Sequence, residues 1–398
     1  TLDKERGEVI FVYSRKHGDL ERDYNKFLTR PTYFSQGDGN YRDINQNRVV
    51  SIFFNPELKD ANIFTFFNLI QLDGFNPLVV KGVSYHIEDK EKVSRILNDY
   101  LDERSFNLLN SFLTKPFYIG ELFMFLDEHD IQIRGDRDGF IKEVLSFSVK
   151  QEDAEHKEGF WTDHWTYNLD LLESYLAVYP EELRNILLEK KEFTFFDDYM
   201  IVNPRHSKYV LYHGHPRQLK SVAFCKEKLE LIQERKAEPN KVRVDFGKGS
   251  IYRTNLLAKI ICLLVNKIAS LDPFGVGIEM EAGKPNWYDA LNGLPALFGS
   301  SISETMELKR LILFIKNSIV ELGLSTDHQI ILAEEIYDFY REIDNLLINH
   351  QGDSQDDLLL FWDKSYSIKE AYRKRVIFGL SGIEKQVSLS DFQGFLDF

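Results

Sequence analysis

The stretch "NLLAKIICLLVNKIASLDP", residues 255–273, is a nearly continuous apolar run. Its large apolar side chains recur at the spacing of an α-helix, at Leu256, Leu257, Ile260, Ile261, Leu264 and Ile268. Pro273 then stops the pattern, because proline lacks the N–H that a helix needs. The sequence therefore predicts a buried helix here, with Cys262 in the core.

Helical spacing recurs on both sides of this run. One stripe ends at Pro180 and comprises Leu169, Leu172, Tyr175 and Leu176. A second stripe ends at Gly323 and comprises Leu308, Leu311, Ile312, Ile315, Ile319 and Leu322. Ser325 or Asp327 is predicted to cap a further helix that carries Ile330, Ile331, Ile336 and Phe339.

Two regions depart from the helical pattern. Residues 193–218 are aromatic and β-branched around an Asn-Pro break, which predicts a β hairpin or small sheet. Residues 83–155 mix short helices with charged linkers and indicate an inserted lobe. The chain is thus expected to be mainly α, with helix pairs that fit an α-hairpin toroid as well as a solenoid or bundle.

Composition limits the class of protein. The chain has 398 residues, of which 43% are hydrophobic and 28% charged, as in a globular protein. Its net charge of -14 disfavours a nucleic-acid or anionic-membrane partner and suits a neutral ligand such as a sugar. His213 and His215 lie two apart on a predicted strand, but no further ligands accompany them, so neither a metal nor a cofactor is expected.

The cysteine count and the targeting features of the sequence bear on the cellular compartment. Cys225 and Cys262 are the two cysteines, too few for a disulfide framework, and neither a signal peptide nor a membrane-spanning run is evident. We therefore expect a cytoplasmic protein. Because the first residue is Thr1 rather than methionine, we also expect a piece of a longer protein or a processed one.

Tryptophans mark two polar, turn-rich segments. Trp161 and Trp165 lie in "EGFWTDHWTYNLD" (158–170), and Trp287 lies in "EAGKPNWYDALNG" (281–293). Flat aromatic faces suit the C–H faces of sugar rings, and neighbouring Asp, Asn and His side chains can bind hydroxyl groups. The alternative is a core tryptophan beneath a polar loop.

Asp289 stands two residues after Trp287. An apolar neighbour would raise the pKa of this carboxyl group, so that it could donate a proton to a glycosidic oxygen. A hydrolase that inverts the anomeric carbon would also need a base, for which Glu279, Glu281 and Asp163 are candidates. The alternative is that Asp289 merely favours the start of a nearby helix.

A third polar segment is "NYRDINQN", residues 40–47. Arg42 and Gln46 lie four apart, as do Asp43 and Asn47, so each pair would share one face of a helix. A guanidinium group beside carboxylate and amide groups can hold adjacent hydroxyls. The alternative is a solvated turn followed by a helix start.

In order along the chain, these segments resemble the catalytic domain of the cellobiose phosphorylase family and its relatives among the (α/α)6-barrel glycoside hydrolases and phosphorylases. The family's early Gly-aromatic-Arg-Asp-x-x-Gln-Asp segment is matched at Arg42, Asp43 and Gln46. Its Asp-Trp-Asn-Asp-Gly-x-Asn segment is matched within "NWYDALN" (286–292), ahead of an "SET" helix opening at Glu304.

The resemblance implies a set of roles. Asp289 would be the general acid, and the sugar would be bound by Arg42, Asp43, Gln46, Trp287 and Asn292. The family's middle sugar-facing segment would correspond to Asp163, His164 and Trp165. The resemblance further implies an (α/α)6 barrel, a homodimer in many relatives, and β domains on either side that are not visible in this sequence.

Four positions depart from the family pattern: Asn47, Asn286, Tyr288 and Ala290. About a quarter of the chain follows Asp289, and a six-hairpin barrel needs more helices than that, so an incomplete barrel is expected. The favoured function is inverting phosphorolysis of a β-glucoside-like oligosaccharide, with inorganic phosphate as co-substrate. The alternatives are an inverting hydrolase on the same scaffold and a catalytically silent carbohydrate-binding or scaffold domain.

Overall fold

The computed structural model describes residues 2–3, 8–9, 39–87, 90–157, 159–218, 221–235, 238–284, 299–350, 352 and 354–397. Over these residues the protein is mainly helical, as predicted. The helices are α1 (Tyr41–Arg48), α2 (Ser51–Phe54), α3 (Ala61–Asn68), α4 (Lys90–Tyr100), α5 (Glu103–Leu113), α6 (Ile119–Glu128), α7 (Arg137–Ser146), α8 (Tyr167–Val178), α9 (Arg205–Lys208), α10 (Lys226–Gln233), α11 (Leu256–Ile268), α12 (Ile302–Glu321), α13 (Glu334–Ile348), α14 (Gln355–Val376) and α15 (Leu389–Asp397).

The strands are short. They are β1 (Leu2–Asp3), β2 (Glu8–Val9), β3 (Gly39–Asn40), β4 (Val79–His86), β5 (Val149–Glu155), β6 (Phe160–Trp161), β7 (Met200–Val202), β8 (Tyr209–Tyr212), β9 (His215–Gln218), β10 (Val222–Phe224), β11 (Ile278–Glu279), β12 (Gly283–Lys284), β13 (Ser300–Ser301), β14 (Gln329–Ala333) and β15 (Glu384–Ser388). Those that follow β2 pair as β3–β4–β5, β6–β12, β7–β10, β8–β9, β11–β13 and β14–β15, and of these pairs β6–β12 is parallel.

The helices predicted from apolar spacing are confirmed in α8, α11 and α12. Every residue of α11 from Leu256 to Lys267 is buried, as the continuous apolar run predicts. Its first turn is capped by Asn255, whose side-chain oxygen accepts a hydrogen bond from the Ala258 N–H at 2.9 Å. Gly323 follows α12 with φ of 57°, the left-handed conformation that glycine adopts readily after a helix.

One predicted helix is wrong at its start. Ile330 and Ile331 lie on strand β14, and α13 begins only at Glu334. Ile330 pairs with Val387 and Ile331 with Gln386 in the antiparallel β14–β15 ladder. Consecutive β-branched residues suit a strand as well as a helix, and here the partner strand decides the outcome.

The chain divides into two compact units, Thr1–Ile44 with Val79–Glu155, and Asn45–Leu78 with His156–Phe398. Residues 83–155, assigned above to an inserted lobe, all belong to the first unit. In that unit α4 to α7 enclose an apolar core that includes Leu97, Leu109, Leu122 and Phe140. The second unit contains α11 and the helices that follow it.

Residues 193–218 contain a short β hairpin, β8–β9, in which Tyr212 pairs with His215. The two turn residues have positive φ, 49° at His213 and 77° at Gly214, as two-residue hairpin turns require. His213 therefore lies in the turn and not on the strand with His215, which corrects the expectation that both histidines face one side. No helix in the described part of the chain is long and apolar enough to cross a membrane.

Candidate functional site

A parallel strand pair in the second unit brings two of the polar segments to one edge. Gly283 of β12 lies opposite Phe160 of β6, and Lys284 lies opposite Trp161. Parallel strands end at the same edge of a sheet. The chain thus leaves β6 toward Thr162 and leaves β12 toward residue 285 at the same edge.

The predicted acid Asp289 follows β12 in the chain. Together with Trp287 and Asn292 it falls within residues 285–298, which lie outside the described residues. On the far side of that segment, Gly299 accepts a hydrogen bond from the Met280 N–H at 3.1 Å, and Ser301 pairs with Ile278. Both ends of the segment are therefore attached to residues 278–284, which we call the 278–284 strip.

The tryptophan-rich segment forms a tight turn beside the strip. His164–Thr166 is a 3-10 turn, and the Thr166 hydroxyl donates to the Asp163 carbonyl at 2.7 Å. Asp163 is 8% exposed, His164 0% and Trp165 3%. His164 and Trp165 thus offer no solvent-facing surface, which differs from the expectation that they face a sugar. Burial of the rings inside the unit is the physical reason.

Trp165 instead contacts a buried acid. Its indole N–H donates to Glu304 Oε2 at 3.2 Å, and Glu304 lies in the first turn of α12, capped by Ser301. Lys267 Nζ donates to the Thr162 carbonyl at 3.1 Å. Burial raises the pKa of Glu304, while the positive charge of Lys267 opposes the shift. Glu304 and Lys267 together fix both ends of the 162–165 turn.

Glu281, at the centre of the strip, is surrounded by cations. Lys369 and Arg373 of α14 both donate to its carboxylate, with Arg373 Nη1 3.1 Å from Oε2. Lys208 Nζ donates to the Glu281 carbonyl at 3.1 Å and lies 3.9 Å from Oε2. Burial alone would raise the pKa of Glu281, but the charges of Arg373, Lys369 and Lys208 hold it well below its usual value. Glu281 is therefore a fixed anion.

Glu279 lies in a different environment two residues earlier. Its Oε1 accepts a hydrogen bond from the Trp362 indole N–H at 3.0 Å. Burial raises the pKa of Glu279 to about 7. Of the two candidate bases in the 278–284 strip, Glu279 is the one that can take up and release a proton near neutral pH.

Lys267, Glu304, Glu281, Lys208, Lys369 and Arg373 together form what we call the buried charged cluster. Its two residues on α14, Lys369 and Arg373, were not predicted from the sequence. Trp362, Tyr366, Lys369 and Arg373 are spaced by four, three and four residues, which puts them on one face of a helix. This spacing is the signal that could have revealed them, although a basic run such as 373–375 is usually a solvated face.

The early motif forms a helix, as its spacing predicts. Arg42 and Asp43 lie in α1, and Arg42 donates to Asp43 Oδ1 through Nε at 3.2 Å and Nη2 at 3.1 Å. Gln46 is exposed on the same helix. Arg42 and Asp43 belong to the first unit and Gln46 to the second, because the division between the units falls within α1.

Neither a metal site in the described part of the chain nor a match to a known protein family is found. No group of three or more His, Cys, Asp or Glu side chains among the described residues could hold a metal ion. The chain matches neither a model of a known protein family nor a curated protein sequence.

Proposed function

We propose that this protein is a carbohydrate-active enzyme that cleaves a glycosidic bond by inverting phosphorolysis, with Asp289 as the general acid and inorganic phosphate as co-substrate. The substrate class is a β-glucoside-like oligosaccharide. The helices of the chain would belong to an (α/α)6 barrel. A homodimer is part of the same proposal, as is a cytoplasmic location.

The parallel pairing of β6 with β12 carries this proposal. It joins two segments that the sequence analysis selected independently for their Asp and Trp residues, 158–170 and 281–293. A site that handles a sugar needs a proton donor and hydrogen-bonding groups at one place. The pairing supports such a place, because Lys284, the last described residue before the segment that contains Asp289, lies opposite Trp161.

Burial in the second unit supports the barrel. Helix α11 is buried on all its faces, whereas α12 and α13 each keep an exposed face. An inner helix shielded by outer helices is what a toroid of helix pairs requires.

In the proposed reaction, one bond forms and one bond breaks at the anomeric carbon. A phosphate oxygen attacks that carbon while its bond to the glycosidic oxygen breaks, and Asp289 gives its proton to the leaving oxygen. The products are a sugar 1-phosphate of inverted configuration and the shortened sugar.

A hydrolase is the second candidate, and one observation favours it. Burial raises the pKa of Glu279 to about 7, whereas Glu281 makes direct ion pairs with Lys369 and Arg373. If water were the acceptor, Glu279 would be the base that activates it, and Glu281 would be unsuited because its carboxylate already accepts from Lys369 and Arg373.

The test is to incubate the protein with β-linked glucose disaccharides, with and without inorganic phosphate. Phosphorolysis predicts release of sugar 1-phosphate that depends on phosphate. Release of free sugars without phosphate would support the hydrolase. Binding without turnover would leave a silent carbohydrate-binding domain and overturn the proposal.

The acid is tested by Asp289→Asn, which should lower turnover at least about 100-fold because the side chain can no longer give up a proton. Asp356→Asn is the matched control, since Asp356 is an exposed residue in the first turn of α14. Retained activity in Asp289→Asn would remove Asp289 from the reaction.

A further inference from the structure

A cavity in the second unit is lined by the C-terminal half of α14, from Glu370 to Val376. Its volume is about 390 Å³, within the range of small-molecule sites. The walls are mainly apolar and include Leu72, Phe196, Met200, Val202, Val376 and Ile377. The proposed glycosidic reaction uses none of these residues.

Charged side chains also line the cavity, three cations and three anions. They are Lys228, Arg373, Lys374, Asp73, Asp197 and Glu370. Equal numbers of opposite charges give no net preference for an anion or a cation. The ligand class must therefore be argued from which of these charges already have partners.

Four of the six are already paired. Lys228 Nζ lies 2.8 Å from Asp197 Oδ1, and Arg373 binds Glu281. Glu370 Oε1 accepts from the Arg205 N–H at 2.7 Å and from its Nε at 3.2 Å. Each of these groups is satisfied before a ligand enters.

Lys374 and Asp73 differ from the other four. Neither lies within 4.0 Å of an oppositely charged group among the residues that the structure describes, although the charge of Asp73 contributes to raising the pKa of Arg373. Asp73 Oδ1 accepts the neighbouring Phe75 N–H at 3.2 Å. The cavity thus offers one cation, Lys374, and one anion, Asp73, without a direct ion-pair partner among the described residues, beside an apolar wall.

We propose that this cavity binds a zwitterion with an apolar body, such as an amino acid or short peptide with large apolar side chains. Its carboxylate would pair with Lys374, its ammonium with Asp73, and its apolar part would pack against Met200, Val202 and Val376. The cavity shares Arg373 with the buried charged cluster, but the proposed ligand does not depend on the glycosidic reaction.

The probes are chosen to separate the two charges. L-phenylalanine and the dipeptide leucyl-phenylalanine are zwitterions of short and long charge separation. 3-Phenylpropionate lacks the ammonium group, and phenethylamine lacks the carboxylate. In isothermal titration calorimetry we expect at least one zwitterion to bind at least tenfold more tightly than both singly charged probes.

Two variants of α14 test the location. Ala371→Trp places a large side chain at an exposed helix position that lines the cavity and should abolish binding. Lys364→Trp is the matched control, because Lys364 is exposed on the same helix and does not line the cavity. Equal losses in the two variants would put the ligand elsewhere.

Two further variants test the charges. Lys374→Gln should weaken the zwitterion and 3-phenylpropionate but leave phenethylamine unchanged, whereas Lys364→Gln should change none of them. Asp73→Asn should show the converse pattern, with an unchanged melting temperature as the check on folding. A singly charged probe that matches the zwitterions, or no binding of any probe at millimolar concentration, would overturn the proposal.

Discussion

The two units bury different kinds of side chain. Among the residues that the structure describes, the first unit buries no charged side chain, and its core consists mainly of apolar residues such as Leu97, Leu122 and Phe140. The second unit also buries charges, among them Lys259, Glu281 and Lys369. Apolar side chains contribute to stability simply by leaving water, whereas a buried charge costs free energy unless partners compensate it.

This difference indicates where function lies. A buried ion pair is often no more stabilising than well-packed apolar residues would be, so its presence needs another explanation. Perturbed acids and bases concentrate at functional sites. The buried charged cluster adjoins the 278–284 strip, to which the segment with Asp289 is attached, so the proposed general acid and the perturbed acids belong to the second unit.

The largest expected effect comes from removing the anion of the cluster. Glu281→Ala would leave Lys208, Lys369 and Arg373 buried without their carboxylate and should lower the free energy of unfolding by about 3–5 kcal/mol. Urea unfolding measures this loss. Glu321→Ala, at an exposed position on α12, is the control and should change little. A loss below about 1 kcal/mol would mean that the cations do not depend on Glu281.

The apolar core of the first unit gives the next largest effect. Leu122→Ala removes a fully buried side chain from α6 and should cost about 3 kcal/mol through lost burial and the cavity left behind. Because no charge is involved, the loss should be equal at pH 5 and pH 8. Leu360→Ala, at a half-exposed position on α14, should cost far less. A pH-dependent loss in Leu122→Ala would contradict the contrast between the cores.

The sequence predicted correctly those secondary-structure elements that are determined by residues close to them in the chain. Helices α8, α11 and α12 follow from apolar spacing within a few turns, and Gly323 ends α12 as its conformational freedom suggests. The predicted start of α13 was wrong because Ile330 and Ile331 form a strand by pairing with β15, which lies more than fifty residues later in the chain. A local pattern cannot report a partner at that distance.

The candidate site was likewise predictable from the sequence only in part. Glu279 and Glu281 could be named from the sequence, but their opposite pKa shifts depend on the tertiary fold. Burial raises the pKa of Glu279, and the charges of Arg373 and Lys369 on a distant helix lower that of Glu281. Sequence spacing says which α14 residues share a face but not which acid that face meets. The roles of Asp289, Trp287 and Asn292 stay predictions, since these residues lie outside the described part of the chain.

A pH dependence should distinguish Glu279 from Glu281. The pKa of Glu279 is about 7 in the folded protein against an ordinary value of 4.5, so the folded state holds the proton more tightly than the unfolded chain. Its stabilising contribution is complete below about pH 4.5 and is lost as the pH rises through 7. Between pH 5 and pH 8 the protein should lose about 2 kcal/mol more than Glu279→Gln, since glutamine does not titrate. Urea unfolding at both pH values measures the difference, and parallel profiles would contradict the raised pKa.

The smallest effect should be the same in both units, because a helix cap acts locally. Asp136 caps α7 in the first unit by accepting from the Gly139 N–H at 2.9 Å, and Ser354 caps α14 in the second by accepting from the Asp357 N–H at 3.2 Å. Asp136→Ala and Ser354→Ala should each cost about 1 kcal/mol in urea unfolding, since the first turn of each helix loses its side-chain acceptor, which Asp136 provides for the N–H groups of Asp138 and Gly139 and Ser354 for that of Asp357. Equal losses would mean that the units differ in what they bury and not in how their helices begin. A loss confined to Ser354→Ala would instead tie the cap of α14 to the buried charged cluster, because that helix also carries Lys369 and Arg373.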